Sequence, residues 1–252
     1  MSGLTFLRLE GISKYFGAIR ALNNISLSID EKEVIGIVGD NAAGKSTLMK
    51  IISGAYRPDK GKIFIKNKEV HWHGPIDARK QGIEMIYQDF ALIQELDVST
   101  NIFLGREIIQ KKLGFIVLNK KEMRRKSLSM INSLGLPVPP PTTRVSDLSG
   151  GQQQAVAIAR ATGFKARLVI MDEPTANLSP GAIERVREAI RRLKNQGISV
   201  IIVSHRLEDI LTTSDRIIVM KQGCIVGERD ARLTCKEEIL AMIITGIDKK
   251  DI

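Results

Sequence analysis

Aromatic residues, cysteines and long apolar runs are all scarce in this chain of 252 residues. The two cysteines, Cys224 and Cys235, fit no metal-ligand spacing and need not pair, so we expect two free thiols in a reducing compartment. No apolar run approaches the ~18 residues that a transmembrane helix needs, and the start of the chain, residues 1–4, does not resemble a signal peptide. We therefore expect a cytosolic protein.

Acidic residues are outnumbered by basic ones, and the net charge is +10. This charge admits three classes of partner, namely nucleic acid, an anionic membrane surface or an acidic protein. The basic residues are spread along the chain, apart from a dense run at 120–126. Because aromatic residues are only 4% of the chain and none lies in that run, base stacking has no support there. We interpret the run as a solvated helix face.

Glycine is better represented, and it marks the motif around which the chain is organised. Residues 39–47 fit G-x-x-x-x-G-K-[ST], a loop whose backbone N–H groups surround nucleotide phosphates. Lys45 is placed to reach the β- and γ-phosphates, and Ser46 to offer its hydroxyl to Mg²⁺. The apolar run 33–38 before the loop and the helix predicted over Lys45–Ser53 supply the required context. A glycine-rich turn without function is the interpretation that we rank lower.

Periodicity predicts an α/β fold in which a nucleotide-binding core is interrupted by a helical insertion. Strands are expected within 5–30, in a hairpin over 62–70 and at 83–87, which suggests a small antiparallel sheet beside the core. The apolar runs 168–171, 199–203 and 216–220 suit parallel strands covered by helices on both faces. Between about 91 and 154 strand signals largely disappear, and we expect a helical subdomain there.

Two carboxylates, Asp172 and Glu173, follow the apolar run 168–171. Asp172 fits the acid that a phosphate-loop nucleotidase uses to hold Mg²⁺, and Glu173 is placed to polarise an attacking water.

A second anion-binding segment, Ser149-Gly150-Gly151-Gln152, lies at the start of an apolar helix. One triphosphate does not need two such segments in one chain. We therefore expect the second to cap a nucleotide held by another subunit.

The phosphate loop, Leu148-Ser149-Gly150-Gly151-Gln152 and Asp172-Glu173-Pro174-Thr175, in this order, resemble the ATP-binding-cassette (ABC) ATPases over essentially the whole chain. The resemblance implies a RecA-like phosphate-loop nucleotidase core with an antiparallel β-subdomain and an inserted helical subdomain. Its boundaries are expected at 1–88 and 157–252 for the core and 89–156 for the helical subdomain.

The resemblance also implies a role for individual residues, with ATP and Mg²⁺ as ligands. Phe16 matches the aromatic residue that stacks on adenine, with Tyr15 as the alternative. The catalytic residues expected are Glu173, His205 and Lys45. The metal site is expected at Ser46, Gln88 and Asp172. The nucleotide is expected to contact Phe16, Gly39, Asp40, Asn41, Ala42, Ala43, Gly44, Lys45, Ser46, Thr47, Ser149, Gly150, Gly151 and Gln152. His205 matches a histidine that contacts the γ-phosphate, whereas on its own it could be an ordinary hydrogen-bonded histidine at a strand end.

Within the family, residues 39–41, 100–107 and 151–154 are most similar to the ATP-binding subunits of bacterial sugar importers of the ribose, xylose and fructose type. Many of those contain two fused cassettes, and this chain resembles the single-cassette subset, with no room for a regulatory domain. Two positions depart from the family pattern. Ala42 stands where Gly or Ser is usual, so the backbone is less free there. Ser179 stands where aspartate is usual, in the loop expected to contact the opposite subunit.

These features predict the ATP-hydrolysing subunit of a sugar importer, peripheral on the inner face of the cell membrane. Its expected partners are a second cassette, identical or homologous, the transmembrane permease subunits and, indirectly, a sugar-binding protein. Residues 89–105 should receive the permease. A non-transport ABC ATPase acting on nucleic acid, and a transporter of lipid, metal or amino acid, are the alternatives. No nucleic acid partner is expected, because the coiled-coil arms and zinc modules of such relatives are not found.

Overall fold

A computed structural model describes residues 4–112, 114–137, 139–176 and 178–248. Val138 of the proline-rich link and Asn177 of the loop before Ser179 lie outside these residues. The strands are β1 (Thr5–Phe16), β2 (Ile19–Asp30), β3 (Val34–Gly39), β4 (Lys60–Ile65), β5 (Lys68–Val70), β6 (Ile83–Ile86), β7 (Ile109–Lys112), β8 (Phe115–Leu118), β9 (Leu168–Asp172), β10 (Ser199–Val203), β11 (Arg216–Lys221) and β12 (Cys224–Asp230). The helices are α1 (Lys45–Ile52), α2 (Pro75–Lys80), α3 (Val98–Phe103), α4 (Lys120–Leu134), α5 (Gly150–Thr162), α6 (Pro180–Asn195), α7 (Leu207–Thr213) and α8 (Lys236–Thr245).

A six-stranded sheet in the order β12-β11-β3-β10-β9-β6 forms the centre of the core. Its strands run parallel except for the antiparallel edge strand β12. The apolar runs of β3, β9 and β10 are buried because helices cover both faces. One face packs against α1, and the other against α5, α6 and α7. The predicted parallel sheet is thereby confirmed.

A separate antiparallel sheet in the order β2-β1-β4-β5 lies beside this core. Alternate residues of β2, including Ile25, Leu27 and Ile29, are buried against β1 and α1. The hairpin of β4 and β5 turns at Lys66 and Asn67, which both have positive φ. The predicted small antiparallel sheet is confirmed, including its turn.

Helices α3, α4 and α5 pack together between β6 and β9 in the chain. The basic run 120–126 begins α4, which buries Met123, Ser127 and Ile131 and leaves most of its charged side chains in solvent, as the solvated-face interpretation requires. The predicted boundary at 156 and 157 falls inside α5, and the domain limits remain a prediction.

The expectation that strand structure largely disappears in this segment is wrong at one place. Strands β7 and β8 form an antiparallel hairpin in which Ile109 pairs with Leu118 and Lys112 with Phe115. Each strand has four residues and is exposed throughout. Strand β7 has no alternation, and the apolar run of β8, Phe115–Leu118, cannot be told from a helical segment by its pattern alone.

No helix in the described part of the chain is long and apolar enough to cross a membrane. Cys224 and Cys235 are both free thiols, as expected.

Candidate active site

The loop of residues 39–47 joins β3 to α1, as its motif predicts. Gly39 has φ +152°, and a Cβ there would lie 2.1 Å from the carbonyl oxygen of Met220. Gly44 has φ +97°, and its Cβ would lie 2.7 Å from the carbonyl oxygen of Ala21. Only glycine fits at either position, since both backbone strain and close backbone neighbours exclude a side chain. These two residues set the path of the loop.

Ala42 adopts a left-handed conformation with φ +66°. A non-glycine residue in that region carries about 1 kcal/mol or more of backbone strain. The departure from the family pattern at this position therefore has a physical consequence, because a glycine would adopt the same conformation without strain.

Lys45 begins α1 and is almost entirely buried, although it is a lysine. Its Nζ donates hydrogen bonds to the carbonyl oxygens of Gly39, at 2.7 Å, and Asp40, at 2.8 Å. Burial lowers the pKa of Lys45, and the carboxylates of Glu173 and Asp172 oppose that change. The ammonium group is thus held at the mouth of the loop, where it faces two acids.

Asp172 ends β9, and Glu173 follows it with φ +51°. The strained backbone of Glu173 is held by its N–H, which donates to the carbonyl oxygen of Val203 at 2.8 Å. Burial raises the pKa of Asp172, and it also raises the pKa of Glu173, against the effect of His205. Such raised pKa values are typical of carboxylates at functional sites.

His205 follows β10 and lies beside Glu173. Its backbone N–H donates to Glu173 Oε2 at 3.3 Å, and its Nε2 lies 3.2 Å from Oε1. The Nε2 contact lacks hydrogen-bond geometry, so the buried Oε1 has no hydrogen-bond partner within the described residues. A buried carboxylate oxygen without a partner costs free energy, which a polar ligand at that point would recover.

One cavity of about 540 Å³ joins these groups. Its volume is within the range of small-molecule sites. Among the residues that line it are Phe16, Asn41, Ala42, Ala43, Gly44, Lys45, Ser46, Thr47, Gln88, Asp172, Glu173 and His205. Gly39 and Asp40 line an adjoining cavity of about 560 Å³, which also reaches Asn41 and His205. The residues predicted from the phosphate loop and the late strands are therefore gathered in one place.

Phe16 rather than Tyr15 lines this cavity. The Phe16 ring is partly exposed and contacts the Tyr56 ring edge-to-face, with 5.4 Å between the centroids. An exposed ring face at the rim of a polar cavity is suited to stacking on a planar base.

Ser149, Gly150, Gly151 and Gln152 lie elsewhere. Ser149 caps α5 in a capping box, in which Gln152 Oε1 accepts a hydrogen bond from the Ser149 N–H at 2.9 Å. The cleft beside them has a volume of only about 110 Å³, and none of the residues 39–47 lines it. Within one chain these two groups of predicted residues do not form a common site.

Comparisons with known proteins agree with this geometry. A sequence profile of the family described as "ABC transporter" matches residues 22–176. The xylose/arabinose import ATP-binding protein of Sulfolobus acidocaldarius is 45% identical over 233 residues, which is 92% of this chain and 91% of the relative. The chain belongs to the ABC transporter family.

Other ABC proteins give the same result. The ribose import ATP-binding protein of Caldanaerobacter subterraneus subsp. tengcongensis is 38% identical over 94% of this chain, but this chain spans only 47% of that relative. A solved nucleotide-free ATP-binding cassette from an ABC transporter matches with a TM-score of 0.81 and 28% identity, over 98% of this chain and 99% of the other. A dimeric post-hydrolysis cassette bound to ADP and phosphate matches with a TM-score of 0.76 and 28% identity, over 90% of this chain and 100% of the other. The ABC cassette fold is thereby established.

Two side chains of α5 contact the loops that carry site residues of this ABC cassette, and neither was assigned a role from the sequence. The buried Gln154 donates from Nε2 to the carbonyl oxygen of Pro174, next to Glu173. Arg160 donates to the carbonyl oxygens of Phe90, at 2.6 Å, and Ala91, at 2.7 Å, just after Gln88. A lone arginine in an apolar helix is the only sequence signal for Arg160.

A buried carboxylate ties the same region to the last part of the core. Asp209 of α7 is almost fully buried and pairs with Arg187 of α6 at 2.5 Å. It also accepts a hydrogen bond from the hydroxyl of Thr175, two residues after Glu173. The segment leaving Glu173 is thus held by Gln154 on one side and Asp209 on the other.

Proposed function

We propose that this protein is the ATP-hydrolysing subunit of a sugar importer. The observation that carries the proposal is the single cavity in which a phosphate loop, a buried lysine, two carboxylates with raised pKa values and a histidine converge. The xylose/arabinose and ribose import proteins with 45% and 38% identity support the transport role and the substrate class.

In this proposal the loop binds the phosphates of ATP. Gly39, Asp40, Asn41, Ala42, Ala43, Gly44 and Thr47 supply backbone N–H groups and shape the turn, and Phe16 stacks on the adenine. Lys45 exchanges its two carbonyl contacts for phosphate oxygens, so that the buried cation donates its hydrogen bonds to anionic rather than neutral acceptors. The free energy of that exchange contributes to nucleotide affinity.

Glu173 acts as the general base in the proposed reaction. Its raised pKa makes it a better proton acceptor than an exposed glutamate, and Glu173 lines the cavity that the attacking water would enter. In this proposal His205 contacts the γ-phosphate and orients Glu173, whose two carboxylate oxygens lie 3.3 Å and 3.2 Å from the backbone nitrogen and Nε2 of His205. Glu173 would thus accept the proton of the attacking water while His205 holds the carboxylate and the γ-phosphate in place.

Ser46, Gln88 and Asp172 are the residues that would hold Mg²⁺. Hydroxyl, amide and carboxylate oxygens suit a hard cation, and all three residues line the same cavity. The raised pKa of Asp172 also fits, because a bound cation would compensate the cost of burying its charge. When bound, Mg²⁺ neutralises phosphate charge that develops during transfer.

A second cassette completes the proposed site. Ser149, Gly150, Gly151 and Gln152 of one subunit would contact the phosphates bound to the loop of the other, since the two groups do not share a cavity within one chain. The dimeric cassette with ADP and phosphate supports such an arrangement. Contacts made only in the closed dimer would let ATP binding shift the conformation of a permease.

The permease is proposed to dock on the segment 89–105 of the helical subdomain. Ile93 and Leu104 of this segment are exposed apolar side chains, as a docking surface requires. Arg160 connects the start of the segment to α5, so movement of a docked permease would be transmitted to the helix that carries Ser149.

The test is ATP turnover by the complex reconstituted with its permease and sugar-binding protein. We expect the rate to rise when the binding protein is loaded with a pentose such as xylose, arabinose or ribose. Stimulation by nucleic acid, with none by sugar-loaded binding protein, would instead support a non-transport ABC ATPase. Stimulation only by lipid, metal or amino acid would overturn the sugar assignment while leaving the transport role intact.

A further inference from the structure

The hairpin of β7 and β8 exposes a concentration of apolar side chains. Phe115 is 74% exposed, Ile116 67% and Ile109 61%, and Val117 and Leu118 are exposed as well. In the observed register Ile109 lies opposite Leu118 and shares a face with Ile116, whereas Phe115 and Val117 occupy the other face. An isolated two-stranded hairpin is only marginally stable in water. Both faces of this hairpin are therefore suited to an external surface.

The base of the hairpin is anchored in the helical subdomain. Ile108 packs against the hydrophobic core, and its carbonyl oxygen accepts a hydrogen bond from the Asn119 N–H at 2.7 Å. Asn119 also caps α4, since its side chain accepts from the Glu122 N–H at 3.0 Å. The strands consequently project from a fixed base rather than from a long linker.

Positive charge surrounds these apolar side chains. Residues 109–126 contain seven lysines and arginines and one glutamate, a net charge of +6 out of +10 for the chain. The single acid, Glu122, is already paired with Arg125 at 2.6 Å. Lys111 and Lys112 on the hairpin, and Lys120 and Lys121 at the start of α4, are exposed and form no ion pair within the described ranges. A groove of about 590 Å³ between β8 and α4 is lined in part by Lys120, Lys121 and Arg125.

We propose that this hairpin binds the surface of an anionic lipid membrane. The apolar side chains enter the boundary between headgroups and acyl chains, and the lysines contact lipid phosphates. The hairpin therefore offers apolar side chains to the acyl-chain boundary and basic side chains to the phosphate layer above it. The interaction requires neither nucleotide nor permease, so it is independent of the proposed transport activity.

Charge and the exposed aliphatic side chains together favour lipid over the two other candidate partners. Cytoplasmic loops of membrane proteins carry an excess of lysine and arginine, so a permease loop would have the same sign of charge as the hairpin. Nucleic acid has the opposite charge, but contacts between lysines and phosphates would leave the exposed aliphatic side chains in water. Stacking on bases of a single strand has little support, because Phe115 is the only aromatic residue in 109–126. Anionic lipid satisfies both the charge and the aliphatic surface.

The experiment is sedimentation of the full chain with vesicles of phosphatidylcholine, with and without phosphatidylglycerol. We expect binding to the anionic vesicles only, weakened by salt. Replacing the apolar pair (Phe115→Ser with Ile116→Ser), or the lysine pair (Lys111→Gln with Lys112→Gln), should each lower the partition coefficient about tenfold. ATP binding by each variant shows that it is folded.

Matched substitutions elsewhere separate a local effect from a general one. Leu233→Ser with Ile76→Ser removes two exposed apolar side chains outside the helical subdomain. Lys60→Gln with Lys68→Gln removes two positive charges from the antiparallel sheet, as many as the lysine pair of the hairpin carries. Both controls should bind vesicles as the wild type does. The proposal is overturned if the wild type does not sediment with anionic vesicles, or if the hairpin variants bind no more weakly than the controls. It is also overturned if the hairpin variants lose only permease or nucleic acid binding.

Discussion

Two groups of residues in this molecule are suited to phosphate, and they differ in how complete each is. The phosphate loop lies in a cavity of about 540 Å³ with its own lysine, carboxylates and histidine. The segment 149–152 lies beside a cleft of about 110 Å³, with its own side chains joined in a capping box. In the proposed function the first group binds and activates a nucleotide, whereas the second adds contacts to a nucleotide bound by a neighbouring subunit. The separation of the two cavities within one chain supports that division.

Removal of the proposed base should produce the largest effect and should separate binding from hydrolysis. Glu173→Gln is expected to lower ATP turnover by ~10²–10⁴-fold, because the group that accepts the water proton is lost. ATP affinity should be retained, and a closed dimer should accumulate in the presence of ATP, as measured by gel filtration. Glu188→Gln, on the exposed face of α6, is the control. Normal turnover by Glu173→Gln would remove Glu173 as the base.

Loss of the buried lysine should affect the phosphate loop in a different way. Lys45→Ala is expected to lower ATP affinity or turnover about a hundredfold or more, because preorganised positive charge at the phosphates is lost. Equilibrium binding of a fluorescent ATP analogue and steady-state turnover would both be measured. Lys68→Ala, in β5 of the antiparallel sheet, should leave both unchanged. Unchanged ATPase activity in Lys45→Ala would contradict the loop assignment.

Gln154 offers a way to weaken the connection between the two groups. Because its side chain donates to the Pro174 carbonyl, Gln154→Ala should displace Glu173 and lower kcat about tenfold, with ATP affinity retained. Gln153→Ala should reduce kcat less, because the Gln153 side chain donates to the carbonyl oxygens of Val145 and Leu148, which are distant from Glu173 in the chain. A parallel loss of ATP affinity and thermal stability in Gln154→Ala would indicate a structural role alone.

The half-buried carboxylates of the site make the stability of the nucleotide-free protein depend on pH. Burial raises the pKa of Glu173, so between the ordinary glutamate pKa and the raised one the folded state binds more protons than the unfolded state. The contribution of Glu173 to the free energy of unfolding therefore falls as the pH rises through that interval. Glu173→Gln should melt higher than wild type at neutral pH, with the difference vanishing below about pH 4. A difference that persists in acid would show that the carboxylate charge is not its cause.

The smallest expected effect concerns the strained alanine of the loop. Ala42→Gly should raise the free energy of unfolding by up to about 1 kcal/mol, because glycine adopts φ +66° without strain. Ala43, its neighbour, is buried and does not have positive φ, so Ala43→Gly should lower the stability by a similar amount. Thermal or denaturant unfolding of the two variants would show opposite signs. The same sign in both would contradict the strain.

Sequence reasoning was most successful where chemistry is local. The phosphate loop requires Gly39, Gly44 and Lys45 at a fixed spacing within one short segment, and the buried parallel strands are continuous apolar runs. The cavity brings together Lys45, Gln88, Asp172, Glu173 and His205, because residues at the carboxyl ends of neighbouring parallel strands meet at one edge of a sheet. These residues were therefore predictable.

Contacts between distant segments were not predictable in the same way. Gln154 and Arg160 act through the backbone carbonyls of Pro174, Phe90 and Ala91, and carbonyl groups have no sequence signature. The hairpin of β7 and β8 is not predictable in this way, because β7 has no alternation and the four-residue apolar run of β8 fits a helical segment as well as a strand.

Mixing two inactive variants tests the central comparison most directly. In Lys45→Ala the phosphate loop is defective, and in Ser149→Phe the segment 149–152 is defective, so each homodimer has no intact site. If the two groups come from different subunits, a mixed dimer has one site made of an intact loop and an intact segment. An equal mixture should then recover roughly a quarter of wild-type ATPase activity, since half of the dimers are mixed and each has one intact site. A mixture no more active than its two components would contradict a site shared between subunits.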